Sequence, residues 1–160
     1  MERESIVIFP GSFDPFTRGH AAVVDEALRL FDKVVIGVGD NISKRGLLPI
    51  EQRVALIEEC YAANPRVEVK TYSSLTGDFA LECGAKAIVR GVRSCADFEY
   101  EQNMATMNRH LFPSLSTIIL STPVELSHIS SSAVRELLAF GRDVKEFLPQ
   151  NVDINKYLNR

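Results

Sequence analysis

Short, continuously apolar runs alternate along the chain with longer amphipathic stretches. The apolar runs cover residues 6–9, 34–38, 67–69, 87–89 and 117–120, as in KVVIGV and STIILST. Between and after them, apolar side chains recur at helical spacing over 20–31, 50–63, 79–83, 98–111 and 131–140, and a short C-terminal helix is expected over 151–158. Strands separated by helices of about 10–15 residues predict βαβ units and a parallel sheet. Runs that are apolar at every position, rather than at every second one, suit a sheet covered on both faces. The predicted fold is therefore α/β: one doubly wound, Rossmann-like domain over residues 1–160 with a five-stranded parallel sheet. No internal repeat, low-complexity tract or linker divides it.

Composition narrows the setting. Hydrophobic residues make up 46% and charged residues 24%, the balance of an ordinary globular protein. No apolar run approaches the roughly 20 residues that cross a bilayer, so no membrane role is expected. The start, Met1-Glu2-Arg3-Glu4, lacks the cationic region of a secretion signal, and the protein is expected to be cytoplasmic. Cys60, Cys83 and Cys95 stand far apart, in no metal or redox spacing, and read as reduced thiols. A net charge of −3 argues against a nucleic-acid partner.

Open α/β sheets bind ligands at the carboxyl ends of their strands. The segments there are PGSFDPFTRGH, GDNISKRG, TYSSLTGD, RGVRSCADFEYE and TPVELSHISSS, all polar and rich in small or charged residues. Converging on one sheet edge, they describe an anion-binding cleft. Neither GxxxxGK[ST] nor a complete GxGxxG is present, so the first loop must hold phosphate in another way. Gly11 permits close backbone approach, Pro10 and Pro15 stiffen the chain, and Ser12 supplies a hydroxyl. Gly19 and His20 open a helix whose free amides and dipole favour an anion. Read alone, His20 is equally a helix-start polar group, and Ser130, Ser131 and Ser132 read more readily as a helix cap than as a ligand site. Met104, Met107 and Leu111 form a stripe that ordinarily belongs to a core.

PGSFDPFTRGH resembles the (T/S)xFDPxxxGH element of the nucleotidyltransferases that carry a TxGH motif, here Thr17 to His20. RGVRSCADFEYE and ISSSAVRE narrow the resemblance to bacterial phosphopantetheine adenylyltransferases, over about residues 6–149. The resemblance implies transfer of the adenylyl group of ATP to 4′-phosphopantetheine, giving dephospho-coenzyme A and pyrophosphate. It implies His20, Lys44, Ser12 and Arg93 as catalytic residues. Phosphopantetheine would meet Ser12, Lys44, Thr76 and Arg90. ATP would meet Ser12, Phe13, His20, Gly91, Val92, Arg93 and Glu101, together with Leu126, Ser127, His128, Ile129, Ser130, Ser131 and Ser132. It further implies Mg2+ carried with ATP, coenzyme A as a feedback inhibitor, and a homohexamer. This chain departs from the family pattern at Ser12, commonly threonine, at Ile42, often proline, and in the polar stretch 73–78.

The chemistry suits these residue types. A phosphate monoester with a second pKa near ~6 arrives already dianionic at neutral pH, so attack on the α-phosphorus requires no base. What remains is alignment and neutralisation of charge. Lysine serves as a mobile point charge, and Arg90 is expected to offer its planar fork to the acceptor phosphate.

Overall fold

The computed structural model describes residues 2–40 and 46–158. Lys44 and Ile42 lie outside the described residues. The order is β1 (Ile6–Gly11), α1 (Arg18–Leu30), β2 (Lys33–Gly39), α2 (Ile50–Tyr61), β3 (Val67–Tyr72), α3 (Thr76–Glu82), β4 (Ala87–Val92), α4 (Cys95–Leu111), β5 (Ser116–Ser121) and α5 (Ser131–Ala139). All strand pairs are parallel, in the order β3-β2-β1-β4-β5. The predicted fold class is the one observed. Short 3-10 turns at Val124–Leu126, Lys145–Phe147 and Ile154–Lys156 complete the described elements.

Alternate side chains of each central strand go to opposite faces, which explains their unbroken apolar runs. Val7, Phe9, Val34, Ile36 and Val38 join the larger core with Val23, Val24, Ala27, Leu56, Ile57 and Val134 of the helices. Ile8, Val35 and Ile88 join a smaller one with Phe79, Ala80 and Leu115. Each such Val, Leu, Ile or Phe side chain, fully buried, stabilises the fold by about 1.5–3 kcal/mol before entropy is counted. Val152, Ile154 and Tyr157 close the larger core from the C-terminal segment. That segment forms only a 3-10 turn in place of the expected helix: Asn151 adopts a positive φ of 69°, and Asp153 bonds the Asn155 amide.

Two further differences bear on the site. The strands run past their apolar runs, so Pro10, Gly11, Arg90, Gly91 and Val92 belong to β1 and β4. The helices also begin earlier than hydrophobicity indicates, because Thr17 and Ser94 cap α1 and α4. The stripe on α4 is not core. Tyr100, Met104, Met107 and Leu111 are exposed, and Glu101 is the helix's buried residue. No helix among the described residues is long and apolar enough to cross a membrane.

The topology opens the site. β1 pairs with β2 along its whole length, Ile6 opposite Lys33 through Gly11 opposite Val38. Against β4 it pairs only at Val7–Ala87 and Ile8–Ile88. The two strands then diverge, leaving a crevice at the point where the strand order reverses. Pro10 is tolerated in β1 because that side of the ladder has already ended there.

Candidate active site

The loop from β1 to α1 forms the floor of the crevice. Phe13, at a φ of 51°, lies only 4% exposed over Gly11. A Cβ on Gly11 would come within 2.9 Å of the Phe13 ring, so only glycine allows this contact. The ring meets Phe9, Phe16 and His20 at centroid separations of 5.1, 5.4 and 5.0 Å. Asp14 is buried and accepts the amides of Leu47 (2.7 Å) and Leu48 (2.8 Å), fastening the segment after β2 to this loop. Its own carbonyl accepts from Arg135 (2.8 Å), and the Pro15 carbonyl accepts from the Ser131 hydroxyl (2.8 Å).

His20 is held by its own helix cap. The Thr17 hydroxyl accepts the His20 amide, and the Thr17 amide donates to His20 Nδ1 at 3.0 Å. Nδ1 is thus an acceptor, which places the ring proton on Nε2. Burial among aromatic rings, then the charges of Arg90 and Arg93, lower its pKa from 6.5 to about 3. At neutral pH His20 is a neutral donor.

Two lobes meet above this floor, of about 410 and 460 Å³. They share Pro10, Gly11, Ser12, Arg90, Tyr100 and Glu101. The first extends along Gly39, Asp40, Tyr72, Ser73, Ser74 and Thr76 to Met104, Ala105 and Asn108 of α4. The Thr76 hydroxyl lies 3.1 Å from that of Tyr72, whose ring stacks on Phe79. The second extends along Phe13, His20, Gly91 and Arg93 to Ile129, Ser130, Ser131, Ser132 and Arg135.

The charges of the shared wall are engaged. Arg90 donates from Nε and one terminal nitrogen to Glu101, both at 2.8 Å, and from the other to the Pro10 carbonyl (2.6 Å). The fork expected to face a substrate phosphate therefore closes on Glu101, leaving one further N–H on each terminal nitrogen. Arg93 pairs with Asp97 at 3.2 Å and donates to the Ile129 carbonyl at 3.1 Å. Arg135 reaches Ser132 Oγ at 3.1 Å, with no carboxylate partner among the described residues. Ser130 caps α5 by accepting the Ala133 amide, which leaves the first-turn amides of Ser131 and Ser132 for an anion.

The crevice thus gathers most of the expected residues. Ser12 and Arg90 line both lobes, Thr76 the first, and Phe13, His20, Gly91, Arg93, Ile129, Ser130, Ser131 and Ser132 the second; Glu101 is shared. Val92, Leu126, Ser127 and His128 line neither. The 3-10 turn Val124–Leu126 directs that stretch away: the Ser127 hydroxyl bonds the Val124 carbonyl, and the His128 ring meets Phe147 edge-on. Arg135, Tyr100, Asp14 and Asn108 were not among the expected residues. Arg135 stands inside ISSSAVRE, Asp14 inside FDP and Tyr100 inside RGVRSCADFEYE, so the motifs held a signal for three of them.

Among the described residues, no group of three or more His, Cys, Asp or Glu side chains could cage a metal. Asp14 is committed to amides, while Asp97 and Glu101 are committed to arginines. Such a donor set fits Mg2+ bound chiefly through phosphates and water.

Comparison with known proteins places this geometry. Residues 8–137 match the cytidylyltransferase-like family model. A phosphopantetheine adenylyltransferase of Porphyromonas gingivalis is 52% identical over 148 residues, covering 92% of this chain and 96% of that protein. Those of Bacteroides thetaiotaomicron and Levilactobacillus brevis are 47% and 44% identical, over 92% of this chain and 97% and 92% of theirs. In fold the chain is similar to a bifunctional NMN adenylyltransferase/ADP ribose pyrophosphatase from Francisella tularensis, with a TM-score of 0.72 and 19% identity. The match covers 95% of this chain and 47% of that one, so the chain spans about half its length. The chain belongs to the cytidylyltransferase-like family and, within it, to the phosphopantetheine adenylyltransferases.

Proposed function

We propose that the crevice joins ATP to 4′-phosphopantetheine by direct in-line displacement, with no covalent enzyme intermediate. The observation that carries this reading is the pair of lobes meeting at Ser12 and Arg90, with His20 beneath one of them. ATP occupies the lobe of His20, Arg93, Arg135 and the α5 N-terminus. The pantetheine arm occupies the lobe of Thr76 and α4, so the two phosphates face each other at the shared wall.

An oxygen of the acceptor phosphate forms the new bond to the α-phosphorus, and the bond from that phosphorus to the bridging α–β oxygen breaks. Pyrophosphate leaves with the electron pair. The dianionic acceptor requires no base. His20, neutral and protonated at Nε2, donates a hydrogen bond to the α-phosphate as charge builds there and takes up no proton. Ser12, Arg93 and the two outer N–H groups of Arg90 add donors at the shared edge. Arg135 and the amides of Ser131 and Ser132 receive the outer phosphates. Lys44, outside the described residues, is expected to act as a point charge for the phosphates. Mg2+ bound to the ATP phosphates would neutralise their charge, held by those phosphates and water with few protein ligands.

Coenzyme A carries both the pantetheine arm and the adenylate, so it spans both lobes and inhibits by competition. Beyond the lobes, the exposed Met107 and Leu111 of the stripe suit a homohexameric assembly that covers them. The reaction belongs to the cytosol, where the free thiols Cys60, Cys83 and Cys95 stay reduced.

Pyrophosphate release with ATP and a panel of acceptors tests the reading. Phosphopantetheine is expected to turn over, and pantetheine lacking its phosphate to be almost inert. Comparable rates with both would refute it, as would simultaneous, independent binding of coenzyme A and phosphopantetheine.

A further inference from the structure

Arg53 lines neither lobe, yet three bonds from its side chain hold the crevice's framework. It stands in the first turns of α2, and its side chain runs back toward the β-sheet edge. Nε donates to the Leu48 carbonyl at 3.1 Å. One terminal nitrogen donates to two carbonyls at once, Ser12 at 2.8 Å and Gly39 at 3.3 Å. Those carbonyls lie at the ends of neighbouring strands: the β1–β2 ladder closes at Gly11 opposite Val38, and Ser12 and Gly39 are the next residues on each. Arg53 supplies a side-chain rung where the backbone ladder has stopped.

The location gives that rung a chemical consequence. Ser12 belongs to the wall shared by both lobes, and Gly39 belongs to the first lobe alone. The same guanidinium also fixes Leu48, whose amide Asp14 holds from the other side. Three separate segments are thereby locked at one point under the reacting edge. Among the described residues Arg53 has no carboxylate partner, so its acceptors are backbone carbonyls only. A lysine would keep the charge, but a single ammonium cannot reproduce the fixed angle between Nε and the terminal nitrogen.

We infer that Arg53 is a positioning residue for the adenylyl transfer, holding Ser12 in register with Gly39 so that the acceptor phosphate and the α-phosphorus align. The inference rests on the reaction proposed above. Misplacement by about 1 Å can cost roughly 100-fold in rate, while ground-state binding through other contacts survives.

The experiment compares wild type, Arg53→Lys and Arg53→Ala for kcat in both reaction directions, for the ATP dissociation constant and for thermal stability. Arg53→Lys is expected to fold, to bind ATP within a few-fold of wild type, and to lose about 10- to 100-fold in kcat in both directions. Ethylguanidinium added to Arg53→Ala is expected to restore part of kcat, and ethylammonium to restore none. A normal kcat in Arg53→Lys with only a lowered melting temperature overturns the inference. So does a loss confined to KM, or equal rescue by ethylammonium. Failure of both variants to fold also overturns it, because Arg53 would then serve the fold alone. An inactive wild type would instead refute the proposed reaction, which separates the two failures.

Discussion

Lowering the pH should weaken this protein in part through one histidine. His20 has a folded pKa of about 3 against an ordinary 6.5, chiefly because burial disfavours its cation. As pH falls below 6.5 the unfolded chain takes up the proton and the folded one does not. Stability tied to a neutral His20 is therefore complete above 6.5 and is lost as pH falls toward 3. The slope approaches about 1.4 kcal/mol per pH unit, and between pH 7.5 and 4.5 the loss integrates to roughly 2–3 kcal/mol. The assay is urea unfolding of the free protein at both pH values, for wild type and His20→Asn. Asparagine can still accept the Thr17 amide through its side-chain oxygen, and it does not titrate. Other groups with shifted pKa values, such as Asp25, raised by burial, contribute to both proteins and cancel in the comparison. Wild type should lose about 2–3 kcal/mol more than the variant. Equal losses, or His20 ring resonances that titrate near 6.5, would refute the reasoning and the neutral donor with it.

The same neutral ring sets the outcome of His20→Ala: kcat should fall by about 100-fold or more, while the ATP dissociation constant changes far less. Equilibrium binding measured alongside single-turnover rates separates these, and a defect in binding alone contradicts the role. Asp14→Asn replaces one acceptor by a donor facing the amides of Leu47 and Leu48, and should cost about 2–4 kcal/mol of stability in chemical denaturation. An unchanged midpoint would count against it. Glu101→Gln removes the charged partner of Arg90 and should cost about 1–3 kcal/mol, read the same way.

What could be read in advance was what is local in the chain. The βαβ order follows from hydrophobic period alone. The β1–α1 loop could be placed because its glycines, prolines and helix start are contiguous, and the TxGH element doubles as a cap for α1. What escaped was long-range and side-chain to backbone. Arg53 bonds three carbonyls, and carbonyls leave no mark in a sequence. Glu101 could be named as a site residue, but its partner could not: only the fold shows that it turns inward to meet Arg90 from β4. The α4 stripe has the spacing of a core helix, but the helix turns Glu101, Ala105 and Asn108 inward instead and leaves the stripe exposed. Strand ends were underestimated because Pro10, Gly11 and Gly91 look like punctuation yet complete the ladders at the crevice.

The central place of β1 has a consequence for when activity can appear. Each lobe takes one wall from the first half of the chain and the other from beyond residue 87: Arg90 closes on the Pro10 carbonyl across 80 positions of sequence. A nascent chain could assemble β1, β2 and β3 with the whole TxGH element in place and still possess neither binding lobe. The reacting edge comes into being only when β4 docks on β1, and the second lobe is complete only when α5 arrives behind it. The first lobe needs nothing beyond Thr117, whereas the second waits for Ile129 to Arg135, so a nascent chain is expected to stay inactive until α5 has emerged.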